Sequence, residues 1–246
     1  MQDESNELTT DKFSNSTIYT IIKICKIIFS IISILIFFAL IPIISGDWRW
    51  IEGWIFTAWF IIRYSTITVY LYYKDPALLA ERSKPQTGGQ KGWDKYACNM
   101  IMAGYFIWFI IMPLDAKRFA WSPAFPLWLK IIGGTELLMA LFFMFRAVAD
   151  NTFTSTVVRI QTERNQRVVS TGIYAFVRHP MYLAGMLMLT GAPLLLSSKY
   201  GFLTGIIIAL IFAARIIGEE KMLTAELDGY SDYKKKVKYR LIPFIW

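Results

Sequence analysis

The chain has 246 residues, of which 55% are hydrophobic, 16% aromatic and only 18% charged. A soluble domain is usually about a quarter charged, and the apolar residues here fall in blocks longer than soluble core helices need, which excludes an ordinary water-soluble enzyme and indicates an integral membrane protein. The net charge of +8 is then explained by cytoplasmic loops facing anionic headgroups, and no nucleic-acid partner is needed.

The chain opens with a polar, acidic stretch as far as Ser16. It lacks the pattern of a cleavable signal peptide, and the first apolar run is too long for one. Asn15-Ser16-Thr17 has the form of a glycosylation sequon but is expected on the cytoplasmic side. A first span is predicted over Tyr19–Ile44, with Lys23 and Lys26 snorkelling at its start. After a turn at Gly46-Asp47, a second runs over Trp50–Tyr73, with aromatic residues at both ends as at membrane interfaces. Arg63 falls near its middle. Such a charge either faces a polar cavity or pairs with a carboxylate on a neighbouring helix.

The segment Lys74–Lys95 reads as a polar loop, broken from the helix by Asp75-Pro76 and made flexible by Gly88-Gly89. A third span follows over Ala97–Leu114, then a connection Asp115–Phe125. A fourth covers Leu127–Val148, where Gly133-Gly134 permits close helix packing. Glu136 within it needs a partner, and Arg63 is a candidate. Ala149–Val177 is polar and basic. Met181–Leu196 and Gly201–Ile217 are apolar runs separated by only Ser197-Ser198-Lys199-Tyr200, so they form an antiparallel helical hairpin. The first of them is short, about 16 residues against the roughly 20 of a full span. The tail beyond Glu220 is amphipathic and basic.

Charge orients this arrangement. The first segment, the second and fourth loops and the tail carry most of the Lys and Arg. The opposite side holds Arg49, Lys117, Arg118, Lys130 and Lys199. The expectation is an all-α integral membrane protein of about six transmembrane helices with both termini cytoplasmic. No internal repeat of the transporter kind is present. The lone histidine, His179, and two cysteines without Cys-x-x-Cys spacing, Cys25 and Cys98, argue against a metal centre or disulfide framework.

Two clusters carry chemistry on the cytoplasmic face. In Arg178-His179-Pro180, the proline suits a first helical turn, which places His179 near a helix N-terminus where orphan N–H groups favour an anion. A structural histidine at the interface is the competing reading. Arg215 and Glu219, four apart, share a helical face, as a site or as an interfacial ion pair ending the last span.

Taken together, Asn151-x-Phe153, Gln161, Gly172-x-Tyr174, Arg178-His179-Pro180-Met181-Tyr182, Arg215-x-x-x-Glu219-Glu220, Gly229-Tyr230-x-x-Tyr233 and Arg240-Leu241-Ile242-Pro243 resemble the isoprenylcysteine carboxyl methyltransferase family. The resemblance covers Asn151–Trp246, with a weaker echo at Asp75-Pro76-x-Leu78-Leu79-Ala80-Glu81-Arg82. It implies a single membrane domain in which residues 1–150 are scaffold helices and 151–246 bind S-adenosyl-L-methionine without a Rossmann fold. Gln161, Gln166, Arg167, Val168, Val169, Tyr174, His179, Pro180, Met181, Tyr182 and Glu219 would then form a cytoplasmic cofactor pocket. Arg215 would face the carboxylate of a lipid-like or isoprenoid acceptor, with Glu219 accepting hydrogen bonds from the cofactor. A carboxylate acceptor is already ionised, so the reaction needs positioning and desolvation rather than a strong base. Two alternatives stand beside this one: an NADPH-dependent membrane sterol reductase, which shares the His-Pro-x-Tyr helix start, and a non-catalytic lipid-binding membrane protein. Glu219-Glu220 and Leu227-Asp228-Gly229-Tyr230 stand where a reductase usually carries other residues.

Overall fold

The structure, a computed structural model, describes residues 39–83 and 89–246. Most of the expected first span, Lys23, Lys26, Cys25, the sequon and Gly88 lie outside the described residues; residues 39–45 are helical. The described chain is helical throughout, without strands. We number the helices α1 (Ile51–Lys74), α2 (Pro76–Arg82), α3 (Gly92–Pro113), α4 (Leu127–Asp150), α5 (Pro180–Leu196), α6 (Lys199–Glu226) and α7 (Tyr230–Lys236). Helices α1, α4, α6 and the run Gly92–Arg118 are long and apolar enough to cross a membrane, and α5 is a shorter apolar helix.

The helices are apolar on more than one face, the pattern of a lipid-solvated bundle rather than an amphipathic soluble one. On α6, Ile208, Phe212 and Ile216 are buried while Leu203, Ile207 and Leu210 are exposed. The short helix α5 is the axis of the bundle. It is buried along nearly its whole length, from Pro180 to Leu196, with α4 along one side and α6 along another. Its 17 residues rise only about 25 Å. It can be short because protein, rather than lipid, surrounds it.

Close packing of α4 on α5 depends on Gly133 and Gly191. A Cβ on Gly133 would stand 2.5 Å from the Gly191 carbonyl oxygen and the Leu195 nitrogen. Neighbouring Gly134 has no atom within 4 Å of such a Cβ. Gly133→Leu is expected to push the helices apart and destabilise the protein by about 1–3 kcal/mol or more. Gly134→Ala is expected to be neutral or slightly stabilising. Thermal unfolding of the two variants in detergent checks the contrast.

Three elements differ from the sequence expectation. The loop after α1 contains a helix, α2, because Asp75 caps it by accepting the Leu78 N–H (2.9 Å) and Pro76 occupies its first turn. The third span continues through a π-helical turn, Leu114–Arg118. There Asp115, buried, accepts from Ser198 Oγ (2.6 Å), Ser122 Oγ (2.9 Å) and the Tyr200 N–H (3.1 Å), tying the turn to the α5–α6 connection. Finally, α6 does not end with its apolar run near Ile217 or at Glu219-Glu220 but runs to Glu226. Met222 and Leu223, in its last turns, are buried against Tyr230, Tyr233 and Val237. The Arg215–Glu220 motif therefore lies inside a helix.

The suggested Arg63–Glu136 pair does not form. Glu136 accepts from Thr190 Oγ1 on α5 (2.7 Å), whereas Arg63 lies over the rings of Trp59 and Phe60.

Candidate active site

The polar segment between α4 and α5 folds over the end of the bundle and, with α6 and α7, encloses a recess. Asn151 starts the fold, its Oδ1 accepting the Phe153 N–H (2.8 Å). Gly172 adopts φ +59° against the Asp150 carboxylate, which accepts the next amide, Ile173 N–H (2.7 Å). This turn buries Tyr174, whose hydroxyl donates to the Ala147 carbonyl (3.2 Å) and whose own carbonyl accepts from Tyr233 Oη (2.8 Å).

The Arg178-His179-Pro180 segment is fixed from the C-terminal side. The Arg178 and His179 amides donate to the carbonyls of Tyr239 (3.0 Å) and Arg240 (2.9 Å). Arg178 Nη1 donates to the carbonyls of Val237 (2.6 Å) and Lys238 (2.8 Å). Pro180 then begins α5, as the motif predicts.

At the centre of this arrangement is Glu220, buried to 2% exposure. Its Oε1 accepts from Arg178 Nε (2.7 Å) and from His179 Nε2 (3.2 Å), and its Oε2 from Arg240 Nε (2.9 Å). Because an ionised carboxylate only accepts, His179 carries its proton on Nε2 here. Glu220 thus joins α6, the start of α5 and the tail into one charge network.

Glu219 points elsewhere, since consecutive helical residues diverge by about 100°. It lines the recess and accepts from Tyr182 Oη (2.6 Å). The Tyr182 ring lies under the Arg215 guanidinium, 5.6 Å from its centroid. Arg215 itself donates from Nε to Asp94 Oδ1 (2.6 Å) and from Nη2 to Asp94 Oδ2 (3.3 Å) and the Thr156 carbonyl (3.0 Å).

The recess holds about 780 Å³ of space between its atoms, open solvent at its mouth included. Among its lining residues are Gln166, Arg167, Val168, Val169, Tyr174, His179, Pro180, Met181, Tyr182 and Glu219, all singled out from the sequence. Two others are placed differently. Gln161 is fully buried and is not among the lining residues. Its amide is spent on the loop, donating to the Phe153 carbonyl (2.8 Å) and accepting from Arg164 (2.7 Å). Arg215 does not line the recess either; the carboxylate it holds is the protein's own Asp94.

Sequence reasoning missed Asp94 and gave Arg178, Glu220 and Arg240 no role beyond their motifs. Asp94 could not be anticipated, because it lies 121 residues from Arg215. Tyr230, in the Gly229-Tyr230 motif, was also passed over. It lines the recess, its buried hydroxyl has no hydrogen-bond partner, and burial raises its pKa well above the usual phenol range. At the rim, Arg159 bridges Glu81 (2.5 Å) and Glu163 (2.5 Å), whose carboxylates raise its pKa further. Arg82 donates to the Thr154 carbonyl (3.2 Å) and lies 3.8 Å from Met181 Sδ. Among the described residues, no group of three or more His, Cys, Asp or Glu side chains could hold a metal ion.

Residues 128–229 match the sequence profile of the phospholipid methyltransferase family. A protein-S-isoprenylcysteine O-methyltransferase of Schizosaccharomyces pombe is 33% identical over 88 residues. That match covers 34% of this chain and 36% of the yeast protein, about a third of each. The solved structure of a eukaryotic intramembrane Ras methyltransferase, an isoprenylcysteine carboxyl methyltransferase, superposes with a TM-score of 0.52 at 19% identity, covering 85% of this chain and 74% of that one. By fold along most of its length this chain is similar to the isoprenylcysteine carboxyl methyltransferase structure, and by sequence over about a third of its length to the yeast protein.

Proposed function

We propose that the protein is a membrane-embedded S-adenosylmethionine-dependent methyltransferase that methylates the carboxylate of a lipid-like, isoprenylcysteine-type acceptor. The observation that carries this reading is the recess itself. It combines a carboxylate, Glu219, an unpartnered buried hydroxyl, Tyr230, and an apolar wall of Val168, Met222 and Leu223. A nucleoside joined to a charged amino acid presents the complementary features: hydroxyl and amine donors, an acceptor for Tyr230, and a flat apolar base.

When bound, S-adenosylmethionine supplies a methyl group on a sulfonium. Transfer of that methyl to an acceptor carboxylate oxygen would give a methyl ester, with the cofactor's sulfur leaving as a neutral thioether. The residues of this chain contribute placement. Glu219 accepts donors of the cofactor and is itself oriented by Tyr182. Arg215, committed to Asp94, acts on the site by fixing the Tyr182 ring. His179 and Glu220 set where α5 begins and so where Met181 and Tyr182 stand. With both termini cytoplasmic, the cofactor enters from the cytoplasm and the acceptor from the bilayer.

Thermal unfolding with added nucleotides tests the reading. S-adenosylhomocysteine at about 100 times its Kd is expected to stabilise the protein by roughly 2.7 kcal/mol, and labelled methyl should pass to an S-prenylated cysteine derivative. Protection by NADPH in place of S-adenosylhomocysteine would replace this reading with the reductase.

A further inference from the structure

A second cavity, larger and more apolar, lies among the membrane helices. It encloses about 1970 Å³ between its atoms, open space included, and is lined by Trp59 and Arg63 of α1, Tyr105 and Trp108 of α3, and Gly185 and Met188 of α5. On α5 these last residues follow directly on Met181 and Tyr182, which line the cofactor recess. The two cavities therefore lie along successive turns of one buried helix.

Arg63 is the anomaly in this wall. Among the described residues it has no salt bridge and no hydrogen bond; its neighbours are the faces of Trp59 (5.7 Å) and Phe60 (5.0 Å). Its Nε is shut off from solvent with no acceptor. The ionisable groups that act on it electrostatically are Tyr105 and Arg82, and Arg82 contacts Met181 at the rim of the recess. Neither is an anion. Of the arginines around the recess, Arg178 and Arg240 pair with Glu220, Arg215 with Asp94, and Arg159 with Glu81 and Glu163. A planar guanidinium with free donors in an apolar membrane cavity calls for an anion.

We propose that Arg63 selects the acceptor's head group: it holds the carboxylate of an amphiphile whose hydrocarbon chain lies in this cavity, and it disfavours an acceptor bearing an ammonium. This inference rests on the methyltransferase reading and narrows it, since the matching family profile is named for phospholipid methylation while the yeast relative is named for isoprenylcysteine. The carboxylate would sit on the Arg63 side, with one oxygen left free for the methyl group. Arg215, occupied by Asp94, is not required for that task.

The test uses the full chain in detergent, with a twelve-carbon fatty carboxylate brominated on its chain and the matching primary amine. Bromine quenches indole fluorescence on contact, and Trp59 and Trp108 line the cavity. Trp108→Phe identifies the signal: its indole N–H has no partner, so no hydrogen bond is lost, and the quenching amplitude should fall. The carboxylate is expected to bind at least about tenfold more tightly than the amine. Arg63→Gln should abolish that preference and Arg63→Lys should keep part of it. Protection by S-adenosylhomocysteine, read on the same samples, shows whether Arg63→Gln remains folded and tests the methyltransferase reading separately. Equal binding of carboxylate and amine, or a preference unchanged in Arg63→Gln, overturns the proposal. Equal quenching by brominated phosphatidylglycerol also overturns it, by assigning the cavity to a structural lipid.

Discussion

Replacing Glu220 with alanine is expected to cost about 3–5 kcal/mol, because it leaves buried charges without their counter-charge. Arg178 and His179 are 7% and 5% exposed, and Arg178 would keep only backbone carbonyls as acceptors. The loss should spread beyond the side chain. Glu220 holds the tail, through Arg240, against the start of α5, through Arg178 and His179. Without it, the tail is expected to detach and become sensitive to protease, and the melting temperature to fall whether or not ligand is present. Glu220→Gln should be intermediate, since a neutral amide still accepts but no longer balances two guanidinium groups. Thermal unfolding with limited proteolysis of the tail measures both effects. A protein that melts normally as Glu220→Ala would show that the network contributes little.

The neighbouring substitution is expected to behave in the opposite way. Glu219→Ala should leave the melting temperature of the free protein nearly unchanged, because it removes one hydrogen bond, from Tyr182, at a partly open recess. Its cost should appear in ligand binding. A charge-assisted hydrogen bond to a ligand contributes about 1.5–3 kcal/mol, so S-adenosylhomocysteine should bind roughly 10- to 100-fold more weakly. Turnover at saturating cofactor should also fall, since Glu219 fixes the orientation of what it binds. Calorimetric titration beside a melting curve separates the two glutamates. If Glu219→Ala binds normally, the recess does not hold the cofactor through this residue.

Much of this molecule was legible in the chain. Long apolar runs and sparse charge specify a helical membrane protein, because a backbone in lipid must satisfy its own hydrogen bonds. Pro180 marks the start of α5, and four-residue spacing puts Arg215 and Glu219 on one face of α6. The order of motifs from Asn151 to Pro243 pointed to the methyltransferase relatives, and most of the residues singled out there line one recess. Boundaries were less secure. The end of α6 was set too early, because hydropathy falls at Gly218 while the helix continues on buried Met222 and Leu223.

What only the tertiary structure decided is who holds whom. The sequence shows two adjacent glutamates and several arginines, but pairing depends on rotation about helices and on segments far apart in the chain. Asp94 meets Arg215 across 121 residues, and Arg240 reaches Glu220 only after the tail folds back onto the start of α5. Such partners are chosen by desolvation: a charge drawn into a bundle must find an opposite charge within reach, wherever in the chain that charge lies. Arg63 was visible in the sequence as a charge in a span. That no described side chain neutralises it could be seen only when its surroundings were assembled.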